Sequence, residues 1–142
     1  MKKKLSMLIA LVLVFSVCFA PAAFAATRAS DYISSTRATM SAFSNGEMYI
    51  GFRITSTGAD MDDIGASIIE VKNSSGKTVQ TFNCNDAGYE DMMGHDIWSY
   101  SGGVSFQGVI GQKYYAEVGF YCGDSKGGDT DVYVTSYATA KQ

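Results

Sequence analysis

The chain has 142 residues, with 11 basic and 14 acidic side chains and a single histidine. This length is enough for one domain with one hydrophobic core. The basic residues after the first few positions are scattered singly, whereas nucleic acids and anionic lipids are bound through clustered Lys and Arg, so we expect neither as a partner.

The first residues follow the three-part pattern of an export signal. Residues 2–4 are lysines, residues 7–20 are almost wholly apolar, and Ala23-Phe24-Ala25 supplies the small residues that signal peptidase recognises. The alternative is a retained membrane anchor, but the apolar run is shorter than the roughly 20 residues of a spanning helix. The sequence therefore predicts a signal peptide over residues 1–25 and one secreted or loosely surface-associated domain over residues 26–142, with no stable membrane insertion after processing.

Cleavage at this position changes the charge of the protein. Three lysines are lost with the signal peptide, so eight basic residues remain against all 14 acidic ones, a net charge of about −6. We expect the mature domain to be acidic and extracellular.

The mature segment has the period-two pattern of half-buried antiparallel strands. Over residues 47–55 the apolar side chains occupy every second position, and residues 114–122 repeat this alternation. Turn residues recur about every ten positions, with the hairpin sequences Asn45-Gly46 and Asn73-Ser74-Ser75-Gly76. The predicted strands cover residues 36–43, 47–55, 67–73, 77–84, 101–107, 114–122 and 131–137. Seven short strands predict a single all-β antiparallel sandwich.

One stretch resembles fibronectin type III and related immunoglobulin-like domains. Gly111-Gln112-Lys113-Tyr114 is followed by in-phase apolar residues, as at the start of strand F in those domains, where a tyrosine bonds back to nearby backbone. The resemblance implies an immunoglobulin-like or fibronectin type III-like architecture and no particular ligand. The chain departs from the immunoglobulin pattern in its only tryptophan, Trp98, which falls in a predicted loop before the fifth strand.

Three further segments resemble small secreted proteins of Gram-positive gut bacteria that form a family of unknown function. They are Ala29-Ser30-Asp31-Tyr32, Met61-Asp62-Asp63-Ile64-Gly65-Ala66 and Lys113-Tyr114-Tyr115. The resemblance spans most of the mature chain. It implies no activity, because the family has none assigned.

Two cysteines follow the signal peptide, Cys84 and Cys122. In an exported domain an even number of cysteines commonly forms disulfides, so the sequence predicts a bridge between them. The alternative is two separate buried thiols that behave as small apolar side chains.

The sequence offers little for catalysis. His95 is the only imidazole, and it could act as a general base beside Asp96 or as a metal ligand; the alternative is a solvated loop histidine. No nucleophile, P-loop or dinucleotide motif accompanies it. We therefore expect no enzyme activity, no cofactor and no bound metal, and a hydrolase using His95 and loop carboxylates is the least favoured reading.

Two groups of aspartates lie in predicted loops. Calcium sites in extracellular β-sandwiches use such oxygen-rich loops, but neither group has the spacing of a known calcium loop. Turn aspartates that bond their own backbone are the favoured explanation. The groups are Asp60, Asp62 and Asp63, and Asp124, Asp129 and Asp131.

The nine tyrosines are many for a domain of this size. The alternation predicts that Tyr115, Tyr121, Tyr133 and Tyr137 share the outward face of two neighbouring strands. Exposed aromatic rows contact sugar rings or protein partners, although aromatic pairs between strands also simply stabilise sheets. The sequence thus favours a non-catalytic extracellular module that contacts protein or glycan. The alternative is a structural protein whose sheet edges pair between copies.

Overall fold

A computed structural model describes residues 30–142, so the predicted signal peptide lies outside the described residues. This part of the chain folds into nine strands joined by turns and two single turns of 3-10 helix. In the described part of the chain, no helix is long and apolar enough to cross a membrane. The strands are β1 Ile33–Ala42, β2 Glu47–Ser56, β3 Asp63–Asn73, β4 Thr78–Asn83, β5 Met93–Gly94, β6 Ser99–Gln107, β7 Lys113–Asp124, β8 Gly127–Val134 and β9 Ala138–Thr139.

The strands form two antiparallel sheets. The smaller sheet has the order β1-β2-β6, and the larger has the order β4-β3-β7-β8, with β5 beside β3 and β9 beside β7. The prediction of an all-β antiparallel sandwich is confirmed. Each of the seven predicted strands has a counterpart, and the two additional strands, β5 and β9, have two residues each.

The core lies between the two sheets and follows the predicted alternation. Met48, Ile50, Phe52 and Ile54 of β2 are buried, and every second residue of β7 from Tyr114 to Cys122 is buried as well. The ring centroids of Phe52 and Phe120 lie 6.0 Å apart in an edge-to-face contact between the two sheets. Burying these apolar faces together is the main driving force for the sandwich.

Both predicted hairpin turns are confirmed. Asn45 and Gly46 join β1 to β2 with φ angles of 60° and 78°, a left-handed conformation that Asn and Gly adopt most readily. Between β3 and β4, Oδ1 of Asn73 accepts hydrogen bonds from the backbone N–H groups of Ser75 and Lys77. These local interactions set the register of each hairpin.

Tyr114 makes the corner interaction that the fibronectin-like sequence predicts. Its side chain is buried, and its hydroxyl accepts a hydrogen bond of 3.0 Å from the backbone N–H of Val109. The same hydroxyl donates to Oε1 of Gln112 at 3.1 Å. Tyr114 therefore fixes the connection between β6 and β7 while its ring fills the core.

The predicted last strand, residues 131–137, is displaced. Strand β8 runs from Gly127 to Val134, pairs with β7 and begins within the glycine-rich stretch that was expected to be a loop. At the next position the backbone N–H of Thr135 donates to the carbonyl of Ala116, and the Thr135 hydroxyl accepts from the N–H of Ala116, so a side chain completes the pairing where the strand ends. Tyr133 therefore lies within β8, and Tyr137 lies beyond its end.

Two aspartates of β8 connect the edges of the two sheets. Oδ2 of Asp129 accepts hydrogen bonds from the Ser30 hydroxyl and from the backbone N–H groups of Asp31 and Tyr32. Oδ2 of Asp131 accepts a hydrogen bond of 2.5 Å from the hydroxyl of Thr36 in β1. The sandwich is thus closed on the β1–β8 side by charge-assisted hydrogen bonds.

Candidate functional site

The predicted disulfide between Cys84 and Cys122 is wrong, because the structure holds both as free thiols. Cys84 follows β4 and bonds the backbone of Ser67 in β3, whereas Cys122 of β7 is paired with Ile64 of β3. Strand β3 therefore lies between the two cysteines, and two strand spacings amount to about 9.6 Å. The Cα atoms of a disulfide lie within about 7 Å of each other, so this arrangement forbids the bridge.

His95 lies between β5 and β6 and contacts a different carboxylate from the one expected. Its Nδ1 is 2.8 Å from Oδ1 of Asp63, the first residue of β3, rather than paired with the adjacent Asp96. Both side chains are at least half exposed, at 65% and 50%. This is an exposed hydrogen-bonded contact at the end of the sandwich, and such surface contacts contribute little to stability.

An open pocket of about 300 Å³ lies beside this pair and is lined by Cys84, Glu90 and Tyr121 as well. The sequence did not predict that Cys84 lies next to His95 and Asp63. The three residues meet because β4 and β5 both pair with β3. A thiol, an imidazole and a carboxylate are the groups of a cysteine nucleophile.

The electrostatics of the pocket oppose that chemistry. Burial raises the pKa of the Cys84 thiol, and the nearby carboxylates of Asp63 and Asp86 raise it further. Only the thiolate is nucleophilic, so a raised pKa leaves little of the reactive form near neutral pH and makes this sulfur a weak nucleophile. Within residues 30–142, no cluster of three or more His, Cys, Asp or Glu side chains has the geometry of a metal site.

The two acidic loops have separate roles. Asp129 and Asp131 bind donors of β1 and the segment before it, and Oδ1 of Asp124 accepts a hydrogen bond from the backbone N–H of Lys126 in the β7–β8 turn. Asp63 contacts His95, and Asp60 is exposed in the β2–β3 loop. Asp124 bonds the backbone of its own turn as predicted, whereas the contacts of Asp129 and Asp131 with residues 30–36 are not turn interactions and were not predicted.

The prediction that four tyrosines share one outward face is wrong for Tyr133. Tyr133 is paired with Val118, whose side chain is buried, and it packs against the core. Tyr115 and Tyr137 do meet on the outside, with ring centroids 5.0 Å apart at an interplanar angle of 60°. Tyr121 shares their face but lies six positions further along β7, roughly 20 Å away.

The phase of β8 instead brings two valines to the outer face of the larger sheet. Val132 is paired with Gly119 and Val134 with Glu117, residues in phase with Tyr115. The exposed fractions are 64% for Val132, 56% for Val134 and 58% for Tyr137. We call Tyr115, Val132, Val134 and Tyr137 the valine–tyrosine face.

Charged residues border this face on one side. Nζ of Lys72 donates a hydrogen bond of 2.5 Å to Oε2 of Glu117 and lies 3.6 Å from Oε2 of Glu70. The hydrogen bond to Glu117 raises the pKa of Lys72, so the ammonium stays charged at neutral pH. An exposed apolar centre with a paired polar rim is the usual composition of a protein interface.

No protein-family model and no curated protein matches the chain. The resemblance to the secreted Gram-positive family therefore stays a prediction. Among solved structures, the apo structure of Bacteroides uniformis beta-glucuronidase 3 is similar, with a TM-score of 0.40 and 13% sequence identity. The similarity covers 76% of this chain and 12% of that chain. A likeness at this level identifies no activity.

Proposed function

We propose that the chain is a non-catalytic extracellular module that contacts a protein partner through the valine–tyrosine face. The observation that carries this proposal is the exposure of Val132 and Val134 on the outer face of β8, together with the exposed Tyr137 that contacts Tyr115 of the neighbouring strand β7. Adjacent exposed apolar side chains with a polar rim mark interaction sites in soluble proteins.

A protein partner fits this face better than a glycan. The valines offer no ring on which a sugar could stack, and Tyr115 and Tyr137 meet edge to face rather than forming a flat platform. Aliphatic side chains beside tyrosines instead suit the centre of a protein interface, where large apolar residues dominate the binding energy.

The β1–β8 side of the sandwich gives little support to assembly by edge pairing. The backbone N–H of Val132 donates to Oδ1 of its neighbour Asp131 at 2.9 Å instead of pointing freely to the edge. Thr36 of β1 covers the other oxygen of the same carboxylate. Inward-pointing charges of this kind block pairing with a further strand.

Binding of the fluorescently labelled domain to intact cells of the producing organism tests the proposal. Val132→Asp and Val134→Asp place a charge on the face and should reduce binding by about ten-fold or more. Val79→Asp is the matched control, because Val79 is 46% exposed on β4, at the opposite edge of the larger sheet. Protease treatment of the cells should abolish binding, and periodate oxidation of their glycans should not.

Two results would overturn this assignment. Equal binding by the Val134→Asp and Val79→Asp variants would show that the face is not used. Binding that survives protease and disappears after periodate would identify a glycan in place of a protein.

A further inference from the structure

The outer face of the smaller sheet, on the opposite side of the sandwich, carries a second arrangement that the sequence did not reveal. Three rows of aligned residues cross β1, β2 and β6. The rows are Arg37–Arg53–Ser101, Thr39–Gly51–Gly103 and Ser41–Tyr49–Ser105. Their side chains combine positive charge, hydroxyl groups and one aromatic ring.

Arg37 and Arg53 lie directly opposite each other on β1 and β2, and both are exposed. The ion pairs of the described residues involve Lys72 and His95 and neither arginine. Like charges directly opposite each other destabilise a sheet. Within residues 30–142 the two arginines thus lie side by side without a carboxylate partner, and an anion bound between them would offset their mutual repulsion.

The ring of Tyr49 packs over Gly51 and Gly103, which occupy the row next to the arginines. A Cβ atom on Gly51 would come within 3.1 Å of Cε1 of Tyr49, and one on Gly103 would collide with its hydroxyl oxygen. The ring is thus laid across the sheet while 37% of the residue stays exposed. A ring in this position offers an apolar surface with a polar tip.

We propose that this face binds an acidic polysaccharide, with Arg37 and Arg53 holding carboxylate or sulfate groups and Tyr49 contacting a sugar ring. The planar guanidinium groups bind such oxyanions through two parallel hydrogen bonds. The exposed hydroxyls of Thr39 and Ser101 flank the arginines and can bond sugar hydroxyls. This site is separate from the valine–tyrosine face and does not depend on it.

An acidic polysaccharide suits the face better than an acidic peptide. The surface is an open sheet face and not a groove that would hold an extended peptide backbone. Its three rows carry, in order, the two arginines, the two glycines and Tyr49. A carboxylated or sulfated sugar chain presents both components at once, with anionic groups for the arginines and a ring face for Tyr49.

Affinity electrophoresis in gels containing polygalacturonate, chondroitin sulfate, neutral dextran or poly-glutamate tests this site. The unmodified domain should be retarded by at least one of the two acidic polysaccharides and not by dextran. If only polygalacturonate retards the domain, the ligand group is a carboxylate. If only chondroitin sulfate retards it, the ligand is a sulfate-bearing sugar. Salt should weaken the retardation.

The variants separate a binding site from general charge. The double variant R37Q/R53Q should bind about ten-fold more weakly or worse. The control K113Q/K141Q removes the same charge from two exposed lysines elsewhere and should change binding by less than about two-fold. Tyr49→Ala should weaken binding to the polysaccharide and not to poly-glutamate.

Melting temperature supplies an independent readout. Because R37Q/R53Q removes a like-charge pair, its melting temperature should equal or exceed that of the unmodified domain while binding falls. The proposal is overturned if no acidic polysaccharide retards the domain, if the lysine and arginine variants lose binding equally, or if poly-glutamate binds as tightly as the polysaccharides.

Discussion

Tyr114 and Tyr115 are neighbours in the chain with opposite surroundings. The ring of Tyr114 is buried in an edge-to-face contact with Phe106, and its hydroxyl holds the backbone of Val109. Tyr115 is half buried on the other face, where it contacts Tyr137. Alternation along β7 predicted this difference from the sequence.

Alanine substitution should separate the two tyrosines. Tyr114→Ala leaves a cavity and an unpaired N–H group, so it should lower the free energy of unfolding by about 3–5 kcal/mol. Tyr115→Ala should lower it by about 1 kcal/mol. Tyr114→Phe keeps the ring and removes only the hydroxyl, so its effect should be intermediate. Urea denaturation of the three variants measures these differences, and equal losses for both alanine variants would contradict the structure.

The two thiols provide a test of pH dependence. Burial raises the pKa of both Cys84 and Cys122. The folded domain therefore holds these protons more tightly than the unfolded chain does. The resulting stabilisation is complete below the unfolded pKa, about 8.5, and is lost as the pH rises through the higher folded values.

We therefore expect the free energy of unfolding to fall between about pH 8.5 and 10, before tyrosine ionisation in the unfolded chain adds its own effect. Cys122→Ala should flatten this decline, as measured by urea denaturation across the range. In the native domain near neutral pH a thiol reagent should modify the partly exposed Cys84 and spare the fully buried Cys122. A single slow phase for both thiols, or no free thiol, would contradict this expectation.

At the scale of the strands, the sequence predicts the alternation within a strand better than it predicts which strands pair. Strand β2 alternates without interruption, so its buried side chains were predicted correctly. In β3 the register shifts between Ala66 and Ile68, which changes the phase of the strand midway. Such a bulge hides the first part of the strand from a period-two search, and the prediction accordingly began at residue 67 instead of Asp63.

The candidate sites depend on pairing between distant segments more than the individual strands do. The order β4-β3-β7 separates the cysteines, and no local pattern in the sequence determines this order. The register of β8 with β7 pairs Tyr133 with the buried Val118 and so turns it inward, and the register of β1 with β2 aligns Arg37 with Arg53. Single-strand periodicity predicts which residues face outward, and only strand pairing determines which of them meet.

Asp129 should stabilise the domain by connecting β8 to the segment before β1. Asp129→Ala leaves the Ser30 hydroxyl and the N–H groups of Asp31 and Tyr32 without this acceptor, so we expect a loss of about 1–3 kcal/mol. Asp60→Ala is the control, since Asp60 is exposed and its side chain makes no hydrogen bond or ion pair within residues 30–142. Thermal and urea denaturation compare the two, and equal stability of both variants would contradict this role.

At the scale of the whole molecule, the sandwich presents two chemically different faces. The larger sheet carries the apolar valine–tyrosine face, and the smaller sheet carries the arginines with Tyr49. Because the core separates the two surfaces, substitutions on one should leave binding at the other unchanged. Under the two proposals made above, the domain would connect a protein partner on one face to an acidic polysaccharide on the other.

The proposed extracellular role requires export, and the start of the fold is compatible with the predicted cleavage site. Removal of residues 1–25 leaves Ser30, whose hydroxyl donates to Asp129 at 2.7 Å, five positions into the mature chain. We expect the intact mass of the protein from culture medium to correspond to a chain that begins at Ala26, or within three residues of it. Cleavage beyond Ser30 would remove a bond that closes the sandwich and would lower its melting temperature. Recovery only in the membrane fraction, with Met1 or Lys2 retained, would contradict secretion and leave both faces without access to extracellular partners.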